Sequence, residues 1–336
     1  MLTPSPADAA QAAMAPLPAD RPFIRATEVW VPDAHGARLR LASGLYGDMA
    51  EFAAVSGAES FGVAEGLPGK AWAEGRPVVL KGFRGSYFKR TEAAEAAGLT
   101  AAVAVPVFAG RTLKGVVVFL FGDDAAHVGA VEVWRASQEP GAVMRLLDGY
   151  YGAAEHFEWI SRRSQFPRRA GLPGTVWASG SAALFRNLGA SHRFIRAEGA
   201  AQAGLTTGLG LPVPSPTESA YVLTLLSALG TPIARRFEIW EREGDGPAAL
   251  VDAVGDGGES LFDGAAPPVV APGEGLIGQA LATGVPAASD AFAGAPANAA
   301  ERAAAAAGFG ATVVFPIHSG DRATQVAAWY FRGGEA

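Results

Sequence analysis

The chain of 336 residues contains no cysteine. That absence excludes a thiol nucleophile, a disulfide, thiolate-bound zinc, an iron–sulfur cluster and a thioether-linked chromophore. Long apolar runs are missing too. Nowhere do about 18 apolar residues follow one another unbroken, so no segment is long enough to span a bilayer as a helix. No lysine or arginine precedes Arg21. A secretory signal opens with basic residues and then an apolar stretch, so the Ala/Pro-rich residues 1–21 read as a flexible tail. The expected location is cytoplasmic. Five histidines, at 35, 127, 156, 192 and 318, show no metal-ligand spacing, so no metal is expected. His35, His127 and His318 fall in expected turns or hairpin tips and read as exposed. No Gly-x-Ser-x-Gly elbow or paired-carboxylate motif is present, so no catalytic residue is assigned.

Charge is sparse as well, at 18% of residues against 49% apolar, with a net value of −6. It is unevenly shared. Residues 1–125 hold 12 basic and 13 acidic side chains (−1), residues 126–232 hold 9 and 7 (+2), and residues 233–336 hold 6 and 13 (−7). None of these segments is basic enough to read as a nucleic-acid binder. A local excess sits between Glu158 and Glu198, where Arg162, Arg163, Arg168, Arg169, Arg186, Arg193 and Arg196 occur.

What the chain does have is a threefold repeat. Glu28-Val29-Trp30 returns as Glu132-Val133-Trp134 and as Glu238-Ile239-Trp240, the tryptophans standing 104 and 106 positions apart. Gly66-Leu67-Pro68-Gly69 returns as Gly171-Leu172-Pro173-Gly174 and as Gly275-Leu276-Ile277-Gly278. Ala97-Gly98-Leu99 returns as Ala203-Gly204-Leu205 and Ala307-Gly308-Phe309, each followed eight positions later by a proline, Pro106, Pro212 or Pro316. A period of this length is a small domain rather than a solenoid unit. The expected boundaries are 22–124, 125–231 and 232–336. The recurring Trp30, Trp134 and Trp240, and Trp72 and Trp177, which Leu281 replaces in the third copy, read as packing residues.

Within the first copy, 26–31 and 38–45 read as a hairpin, and 48–55 as a short helix with Phe52 turned inward. Phe157 and Leu261 occupy the matching positions. Gly66 to Gly75 reads as a helix with proline near its start and glycine after its end. A strand at 78–81, a loop and helix over 84–97, and strands at 101–108 and 112–121 complete the copy. This is an α+β domain with a largely antiparallel sheet of five to six strands and short helices mainly on one face. The order, with "EGLPGKAWAEGRPVVL" and "AAGLTAAVAVPVFAGRTLKGVVVFLF" as its signature stretches, resembles a GAF domain. The resemblance covers nearly everything after residue 22. It implies a sensory or regulatory module that binds cyclic nucleotides, tetrapyrroles or small metabolites, or binds nothing and dimerises.

One departure from the family matters. GAF domains usually begin and end with helices covering the back of the sheet, and the joins between these copies leave no room for them. Yet the final strands, at 116–121, 221–226 and 327–331, are apolar on both faces, as strands covered on both sides are. The sheet backs are therefore expected to pack on one another or on a second chain.

The resemblance places a ligand between the sheet and the segment after the third strand. That segment is 84–90 in the first copy, offering Arg84, Tyr87, Phe88 and Arg90. It is 187–196 in the second, offering His192, Arg193, Phe194 and Arg196. Aromatic rings there suit an aromatic ligand and the cations an anionic one. The competing reading has the aromatics filling the pocket and the arginines decorating its rim. Stretch 290–298 in the third copy has no basic residue, and the Asn-Lys-Phe-Asp-Glu pattern of cyclic-nucleotide GAF domains is absent. Gly273-Glu274-Gly275-Leu276-Ile277-Gly278 spells a dinucleotide fingerprint with Asp290 downstream. Ala64 stands at the first glycine position in copy one, so these glycines read as a shared turn and helix start.

The chain thus reads as a non-enzymatic regulatory sensor or adaptor. It would bind a small molecule, a partner protein or both, and signal through protein contact, with a homodimer left open. The alternative is an assembly protein with collapsed pockets. Behind these stand a GAF-fold enzyme and a haem or bilin carrier. No cofactor is expected, but a noncovalent tetrapyrrole needs no cysteine and stays open; GAF proteins that reduce methionine sulfoxide need the cysteines this chain lacks.

Overall fold

A computed structural model describes residues 22–122, 125, 127–261 and 267–332. The expected tail, 1–21, lies outside them. The first repeat runs β1 (Ala26–Pro32), β2 (Leu39–Leu45), α1 (Ala50–Ala58), β3 (Ser60–Phe61), α2 (Gly66–Glu74), β4 (Val78–Lys81), α3 (Thr91–Ala96), β5 (Leu99–Ala109) and β6 (Thr112–Gly122). The second repeats it as β7 (Val128–Ser137), β8 (Met144–Gly152), α4 (Glu155–Arg163), β9 (Gln165–Phe166), α5 (Gly171–Ser179), β10 (Ala183–Phe185), α6 (Ala197–Gln202), β11 (Leu205–Val213) and β12 (Ser219–Ala228). The third has β13 (Arg236–Arg242), β14 (Ala248–Gly255), β15 (Val269–Val270), α7 (Gly275–Thr283), β16 (Ala287–Ser289), α8 (Ala299–Ala306), β17 (Phe309–Ser319) and β18 (Arg322–Arg332). Each repeat forms a six-stranded sheet with one strand order, β3-β2-β1-β6-β5-β4 and its counterparts, and every described pairing is antiparallel. The two-residue edge strands β3, β9 and β15 gave no sequence signal.

The Gly-motif helices show how local sequence sets local structure. Gly66, Gly171 and Gly275 open them at φ of 58°, 59° and 61°, a left-handed conformation that costs glycine least. Three residues on, a Cβ at Gly69 would lie 2.0 Å from the carbonyl oxygen of Gly62. The equivalents at Gly174 and Gly278 would meet backbone oxygens at 2.1 and 2.3 Å. These glycines let a loop cross the helix start at backbone distance, a packing duty present in all three copies rather than a phosphate loop.

One expected anchor is not there. Leu261 is 40% exposed and lies in no helix, whereas Phe52 and Phe157 are buried on α1 and α4. Alignment by spacing gave Leu261 the role, but the third repeat places no helix at that residue to turn it inward.

The sheet backs answer the question raised by the two-faced apolar strands. On β6, Val116, Val118 and Leu120 face the helices of their own repeat, while Val117, Phe119 and Phe121 face the opposite way into a core shared by all three sheets. Leu223 and Leu225 of β12 and Ala327, Trp329 and Phe331 of β18 enter the same shared core. Strands β5, β11 and β17 touch one another pairwise at its centre. At the margins β4 meets β8, β10 meets β13 and β14, and β16 meets β1 and β2. Each repeat thus offers the same edge to the next, and the third returns to the first. This is a closed, head-to-tail pseudo-threefold ring inside one chain.

The seams carry polar ties as well as apolar contact. Tyr150 Oη donates to the carbonyl of Gly122 at 2.7 Å, and its ring stacks on Phe121 at 4.5 Å between centroids. Arg186 pairs with Asp252, the backbone N–H of Ala182 donates to Gln325 Oε1 at 3.0 Å, and that of Ala288 donates to Ser43 Oγ at 3.1 Å. No helix among the described residues is long and apolar enough to cross a membrane.

Candidate functional site

The space between sheet and helices in the first repeat is built around Glu28 of β1. Its side chain is fully buried and accepts hydrogen bonds from Trp30 Nε1 at 3.0 Å and Tyr46 Oη at 3.1 Å. Arg90, at the start of α3, reaches across with both terminal nitrogens, one of them 2.9 Å from Glu28 Oε2, and also donates to Ser56 Oγ. The guanidinium lies 4.9 Å from the centre of the Phe52 ring and 5.2 Å from that of Phe88. A carboxylate this deep is stable only when paired and hydrogen-bonded, and here both conditions hold.

The second repeat keeps the arrangement and adds a hydroxyl donor from Thr224, where the first has Val118. Glu132 accepts from Trp134 Nε1 at 3.1 Å, Tyr151 Oη at 3.1 Å, Thr224 Oγ1 at 2.8 Å and Arg196 Nη2 at 2.9 Å. Burial pushes the Glu132 carboxyl up, but the charge and hydrogen bonds of Arg196 and the Thr224 hydroxyl outweigh it and hold the group below the ordinary value. In the third repeat Glu238 keeps its Trp240 partner at 2.8 Å and gains Tyr330 Oη at 2.8 Å. Among the described residues no arginine from the helix layer reaches Glu238; Arg236, two residues away on the same strand, pairs with it instead. Tyr330, desolvated beside that carboxylate, has its phenol pKa pushed up.

The sequence-predicted site residues are dispersed by this geometry. Arg90 and Arg196 are 3% exposed and belong to the buried ion pairs, Arg196 also reaching the floor of the groove between α4 and α6. Phe88 and Phe194 are buried against them, Phe88 also stacking on Phe83 at 4.0 Å. Arg84 points to solvent and pairs with Glu95. Tyr87 is exposed, with Lys70 Nζ 5.2 Å from its ring centre. His192 is exposed, and Arg193 lies over the Phe185 ring at 4.6 Å. The eight do not converge on one cavity in either repeat.

Two histidines differ from expectation. His127 is 3% and His318 7% exposed, because neighbouring repeats cover the hairpin ends and linkers that a single repeat would leave open. The Glu partners Glu28, Glu132 and Glu238 were missed as well. A signal existed: a glutamate two residues before a tryptophan recurs in all three copies on an otherwise apolar strand, and an arginine recurs eight positions before Gly98 and Gly204 in only two.

A cavity of about 840 Å³ is a groove between α1 and α3 on the outside of the first repeat, lined by Arg25, Glu51, Met49, Val55, Ala93 and Ala97 among others. The matching groove between α4 and α6 holds about 290 Å³ and is bordered by Trp159 and Ile195, which are 53% and 59% exposed. Among the described residues no cluster of His, Asp or Glu could hold a metal ion.

Residues 26–133 match the family model of the GAF domain. The second and third repeats carry the same strand order, so the chain is a tandem of three GAF-like domains. Solved structures similar to parts of it include the nlh2 GAF domain of A. aeolicus in an inactive state, at 22% identity over 30% of this chain and 59% of that one, with a TM-score of 0.25. A GAF domain from the Acinetobacter phosphoenolpyruvate-protein phosphotransferase follows at 20% identity, 29% and 54% coverage and a TM-score of 0.22. The hypothetical protein SA1058 of S. aureus is 17% identical over 32% of this chain and 87% of its own, with a TM-score of 0.26. This chain therefore spans little more than half the length of the first two. No curated protein matches the chain.

Proposed function

We propose that the chain is a non-enzymatic, cytoplasmic regulatory adaptor whose output passes through contact with another protein. One observation carries this reading. Among the described residues of the first two repeats, an arginine–glutamate pair, its aromatic neighbours and a tyrosine occupy the space between sheet and helices where a nucleotide or tetrapyrrole would sit. A protein whose repeats have side chains where ligands would sit keeps its surfaces as its means of recognition.

A second reading rests on the 840 Å³ groove, whose size is within the range of small-molecule sites. There a metabolite would bind outside the repeat and alter the helix layer. A thermal-shift panel of cyclic nucleotides, haem, biliverdin and nitrate separates the two. The adaptor reading expects no saturable shift and no visible absorption band after adding haem or biliverdin and desalting. A saturable shift abolished by Phe88→Ala or Phe194→Ala would refute it. A shift abolished by Val55→Arg in the groove, with the Phe variants unaffected, would favour the second reading.

A further inference from the structure

The outer face of the second repeat carries an apolar patch that the first repeat lacks. Trp159 on α4 and Ile195 in the loop before α6 are both more than half exposed and border one groove. Counting from the anchors Phe52 and Phe157 and from Arg90 and Arg196, the equivalent positions in the first repeat are Ala54 and Lys89. The places match in space as well. A Cβ built at Gly66 would lie 3.7 Å from Lys89 Cδ, and one at Gly171 would lie 3.6 Å from Ile195 Cδ1. Lys89 pairs with Glu65 at 2.7 Å, whereas Ala170 stands at the Glu65 position in the second repeat. An exposed ion pair has been replaced by exposed apolar surface.

The tryptophan is held by its own helix. His156 lies nearly parallel to the Trp159 ring at 5.9 Å between centroids, and the Arg163 guanidinium stands 4.0 Å from the ring centre. Arg163 also donates to the Trp159 carbonyl oxygen at 3.2 Å. These residues are three and four positions apart, the spacing that brings side chains together on a helix. A ring fixed in advance loses little conformational freedom on binding, and tryptophan and arginine are the residues enriched where interfaces hold their energy. Arg163, and Arg193 two residues before Ile195, have no carboxylate within ion-pair distance among the described residues. Glu198, the one carboxylate among the groove's described lining residues, stands in the first turn of α6, where the helix N-terminus offsets its charge. The patch is apolar at its centre and cationic beside both anchors.

We propose that this patch is the contact for the partner protein, and that it takes a short acidic segment carrying large apolar side chains. The inference rests on the adaptor reading and names the surface through which its output passes. The apolar side chains pack on Trp159 and Ile195, and carboxylates beside them meet Arg163 and Arg193. The groove's volume of about 290 Å³ is just under the range of small-molecule sites, enough for a side chain or two. Charge favours this occupant over a second copy docked through the same patch, because that contact would bring two cationic surfaces together.

The test pans the full chain against a random-peptide display library and measures the selected peptides by fluorescence anisotropy. The expected result is enrichment of peptides with leucine, phenylalanine or tryptophan beside aspartate or glutamate. Trp159→Ala should weaken them by at least about tenfold, and Arg163→Glu with Arg193→Glu should do so while removing the salt dependence. Ile195→Lys with Ala170→Glu copies the ion pair of the first repeat onto the second. That variant should melt as the wild type does and lose peptide binding. Enrichment of neutral or basic peptides, no enrichment at all, or unchanged binding to this last variant overturns the proposal. So does a dimer in sedimentation that Trp159→Ala dissolves, since the patch would then belong to a second copy. Failure of the adaptor reading is seen elsewhere, as a saturable shift in the thermal panel lost in Phe88→Ala or Phe194→Ala. Failure of the patch alone leaves that panel silent.

Discussion

Arg90 and Glu28 stand 62 positions apart in the chain and meet inside the first repeat with 1% and 0% of their side chains exposed. Removing one member leaves the other charged and buried, a loss of about 3–5 kcal/mol, whereas replacing both with apolar groups of similar size is close to neutral. Arg90→Met is therefore expected to lower the urea midpoint sharply, and Arg90→Met with Glu28→Leu to recover most of the loss; equal midpoints for single and double variants would contradict the pairing. His318 gives a pH signature. Its pKa is pushed from 6.5 down to about 4, first by burial and then by the Lys114 charge. The unfolded chain binds this proton more readily, so stability is complete above pH 6.5 and falls as pH drops toward 4, by no more than ~3 kcal/mol in all. Urea midpoints measured across that window should decline for the wild type and lose that component in His318→Phe. At this scale the sequence was hardest to read. Residue type marked Arg90, Arg196 and His318 as polar and hence exposed, and only the partner or the covering repeat reverses that.

The elements were far more legible. Helices α2, α5 and α7 begin and end at the glycines that recur in sequence, with Gly75, Gly180 and Gly284 in the left-handed position after their last turns. Their residue types and φ values are local properties, and local properties can be seen in one copy and checked against two more. The contrast between two glycines makes this measurable. Gly69→Ala places a methyl 2.0 Å from the Gly62 carbonyl oxygen and is expected to cost about 2–3 kcal/mol, since backbone must move against backbone. Gly57→Ala on the exposed face of α1 meets nothing within 4 Å and should gain about 0.5–1 kcal/mol. Thermal melts of the two variants should move in opposite directions. What spacing could not supply was an element that fails to recur, and Leu261 was misassigned for that reason.

For the whole molecule, the shared core makes each repeat dependent on the others. A fragment carrying residues 22–122 alone would turn Val103, Val105, Val117, Phe119 and Phe121 to water. A continuous apolar face of that kind is an association hazard. The fragment is expected to aggregate or to bind a hydrophobic dye strongly, while the full chain does neither; a monodisperse, dye-negative fragment would show that the ring is optional. Strands β5, β11 and β17 of the same core connect the three seams.

By itself the sequence determined the number of repeats, the order of their longer strands and Gly-motif helices, and the need for a cover on both faces of the last strands. Those properties are written in hydrophobic period, glycine placement and self-similarity, all of which act over a few residues or compare one copy with another. Tertiary structure alone decided what supplies the cover, which arginines became core and which stayed in solvent, and where two repeats enclose a histidine. Each of those outcomes depends on groups tens to hundreds of positions apart, and no local pattern records which of many equally apolar or equally charged partners a side chain will meet.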